Sequence, residues 1–422
     1  MLKQFFSRNR QASLTFILVT VFLDVLGIGL IIPVLPILVG QFTSSPDEQA
    51  HWFGILSAVY GVMQFLCMPL LGALSDRFGR RPVLLLSIFG LAFSLLVHAM
   101  ATSLMALLLI RLISGSTAAS FSVANAYVAD ITEPDKRGKA FGMLGAAFGL
   151  GFIFGPMLGG LLGGQDVRLP FFVAAGLAML NWLYGYFVLP ESLPKERRAP
   201  FSLKRANPLS ALLHLSRLQG IGGLVAVFAL TLLGQFILQT TWVLYTTFRF
   251  GWTPTDNGIA LFVVGLVGAV VQGGLQGRLL KHFGEQKLAL LGIGSAALAY
   301  VAYGSITIGW LMYVVIFANL FSFAAGPAMQ AIVSKAVDPR EQGLTQGSLN
   351  AIQGLAIIFG PLIGTAILAR VSHLPAGDWR MGATFYTCAA LQGLALLIAW
   401  WHFRRHPVPK TLATQVSPES PT

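Results

Sequence analysis

Charge is scarce in this sequence. Of 422 residues only 10% are Asp, Glu, Lys or Arg, where a soluble chain carries about 25%. That shortage excludes an ordinary water-soluble globule, and a mean hydropathy of +0.73 places the chain in a bilayer instead. Cysteine is nearly absent: Cys67 and Cys388 both fall in apolar runs, which excludes a disulfide framework. The seven histidines form no HExxH pair and no cluster with metal-ligand spacing, and no nucleophile stands beside a base. No metal or other cofactor is expected, and a polytopic membrane enzyme is a poor reading.

What is present is apolar sequence in long runs. A crossing needs about 20 mostly apolar residues, and twelve segments qualify: 14–39, 52–73, 82–101, 104–128, 138–162, 170–189, 220–246, 257–279, 287–307, 310–333, 344–370 and 380–403. The division near Gly309 is the least distinct. The first run, about 25 residues with no small-residue cleavage site after it, exceeds the core of a signal peptide and is expected to remain as an anchor.

A net charge of +12 suggests nucleic acid until the cations are placed. With the N-terminus inside, 23 of the 28 Lys and Arg fall in cytoplasmic segments. Only Arg168, Arg249, Arg370 and Arg380 fall outside, and Arg111 lies within a span. This is the positive-inside pattern. It predicts both termini in the cytoplasm, a multi-pass protein of the inner (plasma) membrane, and no nucleic-acid partner.

Shifted by 205 residues, the chain partly reproduces itself. Ile153-Phe154-Gly155-Pro156 falls on Ile358-Phe359-Gly360-Pro361. Gly72, Phe78 and Gly79 fall on Gly277, Phe283 and Gly284, and Pro134 and Gly138 on Pro339 and Gly343. One register across three regions implies duplication. The expected fold is all-α, with twelve transmembrane helices in two pseudo-symmetric six-helix bundles, 1–189 and 220–422. A basic cytoplasmic linker, 190–219, joins them; its stretch 208–219 reads equally as an amphipathic surface helix or a plain tether. Two parallel halves place a substrate site between them near the midplane.

Three motifs stand out: GALSDRFGRRP (Gly72 to Pro82), IRLISG followed by YVADIT in span four, and GLGFIFGPMLGG (Gly149 to Gly160). Gly151, Gly155 and Gly159 form an i, i+4 ridge that lets another backbone approach, and Pro156 disturbs the helix ladder beside it. With DVLGIGLIIPVLP in span one and WVLYTTFRFGW before span eight, the chain resembles the major facilitator superfamily. The resemblance is specifically to its twelve-helix drug:proton antiporters of the tetracycline-efflux class. It implies a cytoplasmic gate at Gly72, Asp76, Arg77, Gly79, Arg80 and Arg81, with Asp76 meeting the positive end of span eleven. It also implies that Arg111 belongs to a proton-coupling motif, although snorkelling toward the outer surface is a structural alternative. The repeat adds a further expectation. Arg80 falls on Glu285 and Asp130 on Lys335, so an Arg80–Asp130 pair in the first half implies a Glu285–Lys335 pair of inverted polarity in the second.

Sixteen acids are present, and only Asp24 lies deep, roughly 15 Å along span one. A charge at that depth costs about 2.5–3.5 kcal/mol. An acid that is neutral when dry and ionised when wet is what a proton carrier requires, and a structural acid bonded to a neighbouring helix is the alternative. By the same offset Asp24 matches Ala229 and Arg111 matches Ile316, so the first half is expected to handle coupling.

The resemblance is incomplete. Acids of spans three and nine and a histidine of span eight, expected in tetracycline pumps, are here Ser94, Ala296 and Gly268, which weakens a tetracycline–metal chelate as substrate. Candidate cavity residues are Tyr60, Gln64, Asn125, Gln235, Gln239, Trp242, Gln272, Asn319, Gln330, Asn350 and Gln353. Each of these suits interhelical hydrogen bonding equally well. The reading is proton-coupled efflux of a small hydrophobic drug, weakly cationic if charged, by a functional monomer. A nutrient or metabolite uniporter or symporter of the same fold is the alternative.

Overall fold

The computed structural model describes residues 14–201, 222–335 and 342–405; the side chains of 334, 335 and 342–344 lie outside that description, as does most of the linker. Among the described residues every extended element is a helix. They run as α1 (Leu14–Gly40), α2 (Pro46–Phe78), α3 (Arg80–Met100), α4 (Leu104–Ile131), α5 (Arg137–Gly163), α6 (Leu169–Val188) and α7 (Gly222–Phe250). A 52-residue stretch, Pro254–Ser305, follows. At about 1.5 Å per residue it would extend nearly 80 Å if straight, more than twice the roughly 30 Å hydrocarbon core. It is two crossings: α8 (Pro254–Val270) continues through a π turn at Val271–Leu275 into α9 (Gln276–Ser305), and the chain breaks at Gly284. Then come α10 (Leu311–Val333), α11 (Thr345–Val371) and α12 (Trp379–Arg405). Twelve crossings result, in a multi-pass membrane protein of two six-helix bundles.

The region between α2 and α3 is tighter than the interval 74–81 left between the expected spans 52–73 and 82–101. Helix α2 continues to Phe78 and α3 begins at Arg80, so Gly79 alone makes the corner. It does so at φ 109°, and its equivalent in the second half, Gly284, sits at φ 73°. Only glycine adopts that region without Cβ strain, and the two matched corners carry the duplication into three dimensions.

Prolines and small residues interrupt the crossings where packing needs it. Residues 32–34 form a turn within α1, beside Pro33 and Pro36. Helix α4 opens at Thr117–Ala119 before resuming at Ser120. The glycine ridge of α5 meets the backbone of α1. A Cβ on Gly155 would lie 2.7 Å from Gly29 Cα, and one on Gly159 would fall upon the Leu30 carbonyl. The next residue, Gly160, faces Gly258 of α8, so the same helix joins the two halves.

The halves meet mainly toward one end of the bundle. There Gly160 packs on Gly258 and Pro254, Gly164 on Thr255, and Gly54 of α2 on Thr365 of α11. Toward the end that carries the α2–α3 corner, nothing lies within 4 Å of an added Cβ at Gly72, Gly142, Gly145, Gly149, Gly273, Gly274 or Gly347. The close inter-half glycine contacts therefore gather at the first end.

Candidate functional site

Asp24 is buried, 3% exposed. The α4 break at 117–119 brings Ser120 opposite it, and the Ser120 hydroxyl donates to Asp24 Oδ2. Among the described residues its Oδ1 has no partner. One helical turn further along α1, Ile28 lines a cavity of about 270 Å³.

That cavity is assembled from five helices: Ile28, Ile31, Ile32, Leu35 and Pro36 of α1, Phe53, Ser57 and Tyr60 of α2, Leu91, Ser94, Leu95 and His98 of α3, Arg111 and Ser114 of α4, and Gln239, Thr240 and Val243 of α7. Because α7 belongs to the second half, the cavity lies between the halves. Arg111 is 8% exposed, so it is held inside and does not snorkel to the outer surface. Its guanidinium lies 5.4 Å from the Tyr60 ring centroid. His98 is 2% exposed, stacks on Phe171 at 5.9 Å, and places Nδ1 2.7 Å from the Ser94 carbonyl oxygen. A carbonyl only accepts, so Nδ1 carries the hydrogen and Nε2, which has no partner, is a bare acceptor when the ring is neutral.

Of the polar residues proposed for a cavity, Tyr60 and Gln239 line this one, and the others do not. Trp242 is buried in an aromatic cluster with Trp252, Tyr303 and Phe385. Asn319 accepts from Ser295 at 2.8 Å, Gln235 from Tyr300 at 3.4 Å, and Asn125 donates back to Phe121 of its own helix at 2.9 Å. Asn350 accepts from Gln346 at 3.3 Å. Gln64 is half-buried, while Gln272, Gln330 and Gln353 are exposed. Residue typing missed His98, although its spacing from Ser94 by four positions puts the two on one face of α3. Ser57, Ser114 and Thr240 carry no comparable signal.

At the α2–α3 corner Arg80 is the hub. Its Nη1 lies 2.5 Å from Asp76 Oδ1, and its Nε lies 3.0 Å from Asp130 Oδ2 of α4. Arg81 donates to the Tyr186 carbonyl at 2.5 Å, while Arg77 lies over the ring of Phe78. Glu191, just beyond α6, accepts from the backbone N–H of Arg80 at 2.8 Å and of Arg81 at 3.3 Å. It thereby serves the free N–H groups of the α3 terminus with an anion where the helix dipole favours one. Ser192 adds a bond to Asp130 at 3.2 Å. Glu191 escaped the sequence reading because nothing local relates it to residues more than a hundred positions away. The proposed Glu285–Lys335 contact involves a side chain outside the described residues, as does any contact of Asp76 with side chains 342–344.

A family model described as Major Facilitator Superfamily matches residues 17–361 and 305–421. The Escherichia coli protein named Tetracycline resistance protein, class C is 40% identical over 375 residues, covering 89% of this chain and 94% of that protein. Multidrug resistance protein 2 of Bacillus subtilis is 31% identical, covering 93% and 96%. A crystal structure of a human organic anion transporter superposes with a TM-score of 0.68 at 27% identity, covering 92% of this chain and 98% of that one.

Proposed function

Because the chain belongs to the Major Facilitator Superfamily, we propose that it exports a small hydrophobic drug from the cytoplasm across the inner membrane, in exchange for protons, by alternating access. The observation that carries the proton coupling is Asp24. It is the deep acid of the chain, it is held by one hydroxyl with its other oxygen unpartnered, and it sits one turn from a cavity between the halves. Asp24 takes a proton when its surroundings open outward, substrate departs, the halves rock, and the proton leaves inward. Arg111, whose charge is fixed, biases that exchange from the cavity wall. The membrane potential contributes about 2.3 kcal/mol per charge per 100 mV, enough for one proton to drive a modest outward gradient.

In this reading the described conformation opens to the cytoplasm, both termini lie there, and residues 190–219 tether two halves bounded by 1–189 and 220–422. The corner residues Asp76, Arg77, Arg80 and Arg81, with Asp130, Glu285 and Lys335, set which state is favoured. The protein works as a monomer without a cofactor. Drug efflux is supported by the tetracycline- and multidrug-resistance relatives. The decisive experiment measures drug accumulation in an efflux-deficient host and proton-driven uptake in everted vesicles. Asp24→Asn should abolish transport against a gradient, and an active Asp24→Asn pump would overturn the coupling.

A further inference from the structure

The cavity has a charge of one sign in its wall. Arg111 supplies a guanidinium, and among the described residues no carboxylate lines the space. Asp24, a turn below, is engaged by Ser120. Among the described residues Arg111 forms no ion pair and donates no hydrogen bond, and its Nε is buried without a partner. A guanidinium has five N–H donors, and a charge buried without an opposite charge is strongly unfavourable. The face of Tyr60 at 5.4 Å offsets part of that, and a ring quadrupole satisfies none of the donors. His98 adds a neutral acceptor, Nε2, also buried and unpartnered. The remaining wall is apolar: Ile28, Ile31, Leu35, Phe53, Leu91 and Val243.

We propose that this cavity binds an apolar, ring-bearing ligand through an ionised oxygen acid, a carboxylate, phenolate or enolate held by Arg111, with a hydroxyl of the ligand donating to His98. This reverses the weakly cationic substrate that amides and aromatics alone suggest. A guanidinium fork matches an oxyanion in geometry as well as charge. The volume of about 270 Å³ suits one or two rings, or the acidic end of a longer molecule. The inference deepens the export reading and rests on it for its biological meaning, but binding is measured without transport.

The test uses the purified full-length protein in lipid nanodiscs at neutral pH, with empty nanodiscs subtracted, and isothermal titration of three probes of one shape. These are 2-naphthoate, 2-naphthamide and 2-naphthylmethylammonium. The acid should bind at least tenfold tighter than the amide, and the amine more weakly still. Arg111→Gln should bring acid and amide within about twofold. His98→Phe, which keeps a ring on Phe171, should weaken 6-hydroxy-2-naphthoate several-fold relative to 2-naphthoate. Equal or tighter binding of the amide or amine by the unaltered protein overturns the proposal, as does binding of none of the three at millimolar concentration. The unaltered protein therefore decides even if a variant fails to fold. Asp24→Asn separates the two claims: it should lose uphill export and keep the acid preference, whereas an uphill-pumping Asp24→Asn protein refutes the coupling and leaves the binding result standing.

Discussion

Ser120 donates its hydroxyl to Asp24 across 96 positions of sequence, and it does so because α4 loses its helical ladder for three residues just before it. The interruption re-aims Ser120 toward α1, so this polar contact of the deep acid depends on a local break in a different helix. An ionised carboxylate this far from water needs donors, and among the described residues it has one, leaving Oδ1 free to take a proton.

Replacing Ser120 by Ala should therefore injure coupling while leaving the fold intact. We expect Ser120→Ala to keep a normal melting temperature, to retain downhill substrate flux, and to lose several-fold in uphill export. Counterflow and proton-driven uptake in proteoliposomes separate the two fluxes, and full uphill activity would show that the contact is dispensable.

The α5 ridge predicts opposite outcomes for glycines on one helix. Gly159→Ala forces a Cβ onto the Leu30 carbonyl, whereas a Cβ at Gly145 meets nothing within 4 Å. Overpacking of this kind costs about 1–3 kcal/mol. Gly159→Ala should lower the melting temperature in detergent by several degrees, and Gly145→Ala should leave it unchanged.

If the end that carries the α2–α3 corner closes during the cycle, bulk placed there should block transport without harming the described state. Gly72→Leu and Gly142→Leu are expected to melt like the unaltered protein yet export little. Cysteines introduced at the same two positions should be labelled readily by a thiol reagent added from the cytoplasmic side. Normal export by both leucine variants would argue against closure at that end.

The Arg80–Asp130 pair offers a swap test. Both side chains are mostly buried, at 12% and 21% exposed, so breaking it from one side leaves a poorly solvated charge. Arg80→Asp and Asp130→Arg should each reduce export at least fivefold. The double variant should recover part of the loss, less than all of it, because Asp76 and Ser192 also lean on the original charges.

At Asp378, just before α12, the neighbouring Arg380 holds the carboxyl down to about 2, through a side-chain hydrogen bond first and a backbone one second. A depressed carboxyl contributes stability above its ordinary pKa of 3.8 and loses it as pH falls through the folded value. Melting of Asp378→Asn should thus fall below that of the unaltered protein at pH 6, and the gap should narrow between pH 4 and 2. Salt should shrink the gap as well, since the pair faces water.

Much of the molecule is legible in the order of its residues because the relevant physics is local. A run of some twenty apolar residues crosses a bilayer whatever its neighbours do, and the 205-residue offset exposes the duplication that Gly79 and Gly284 then realise as matched corners. The depth of Asp24 follows from counting along one helix, and the α5 ridge from a spacing of four. Helix rotation is not local. It is set when Gly155 meets Gly29 and Gly160 meets Gly258, and only then does it emerge that Trp242 belongs to an aromatic core while His98, unremarkable in its own run, lines the same cavity as Arg111. Glu191 capping α3 is of the same kind: a contact between distant segments that exists once the bundle has closed around it. Composition and periodicity settle which segments enter the membrane; packing settles which side chains are left there without partners, and those are the ones a ligand or a proton can use.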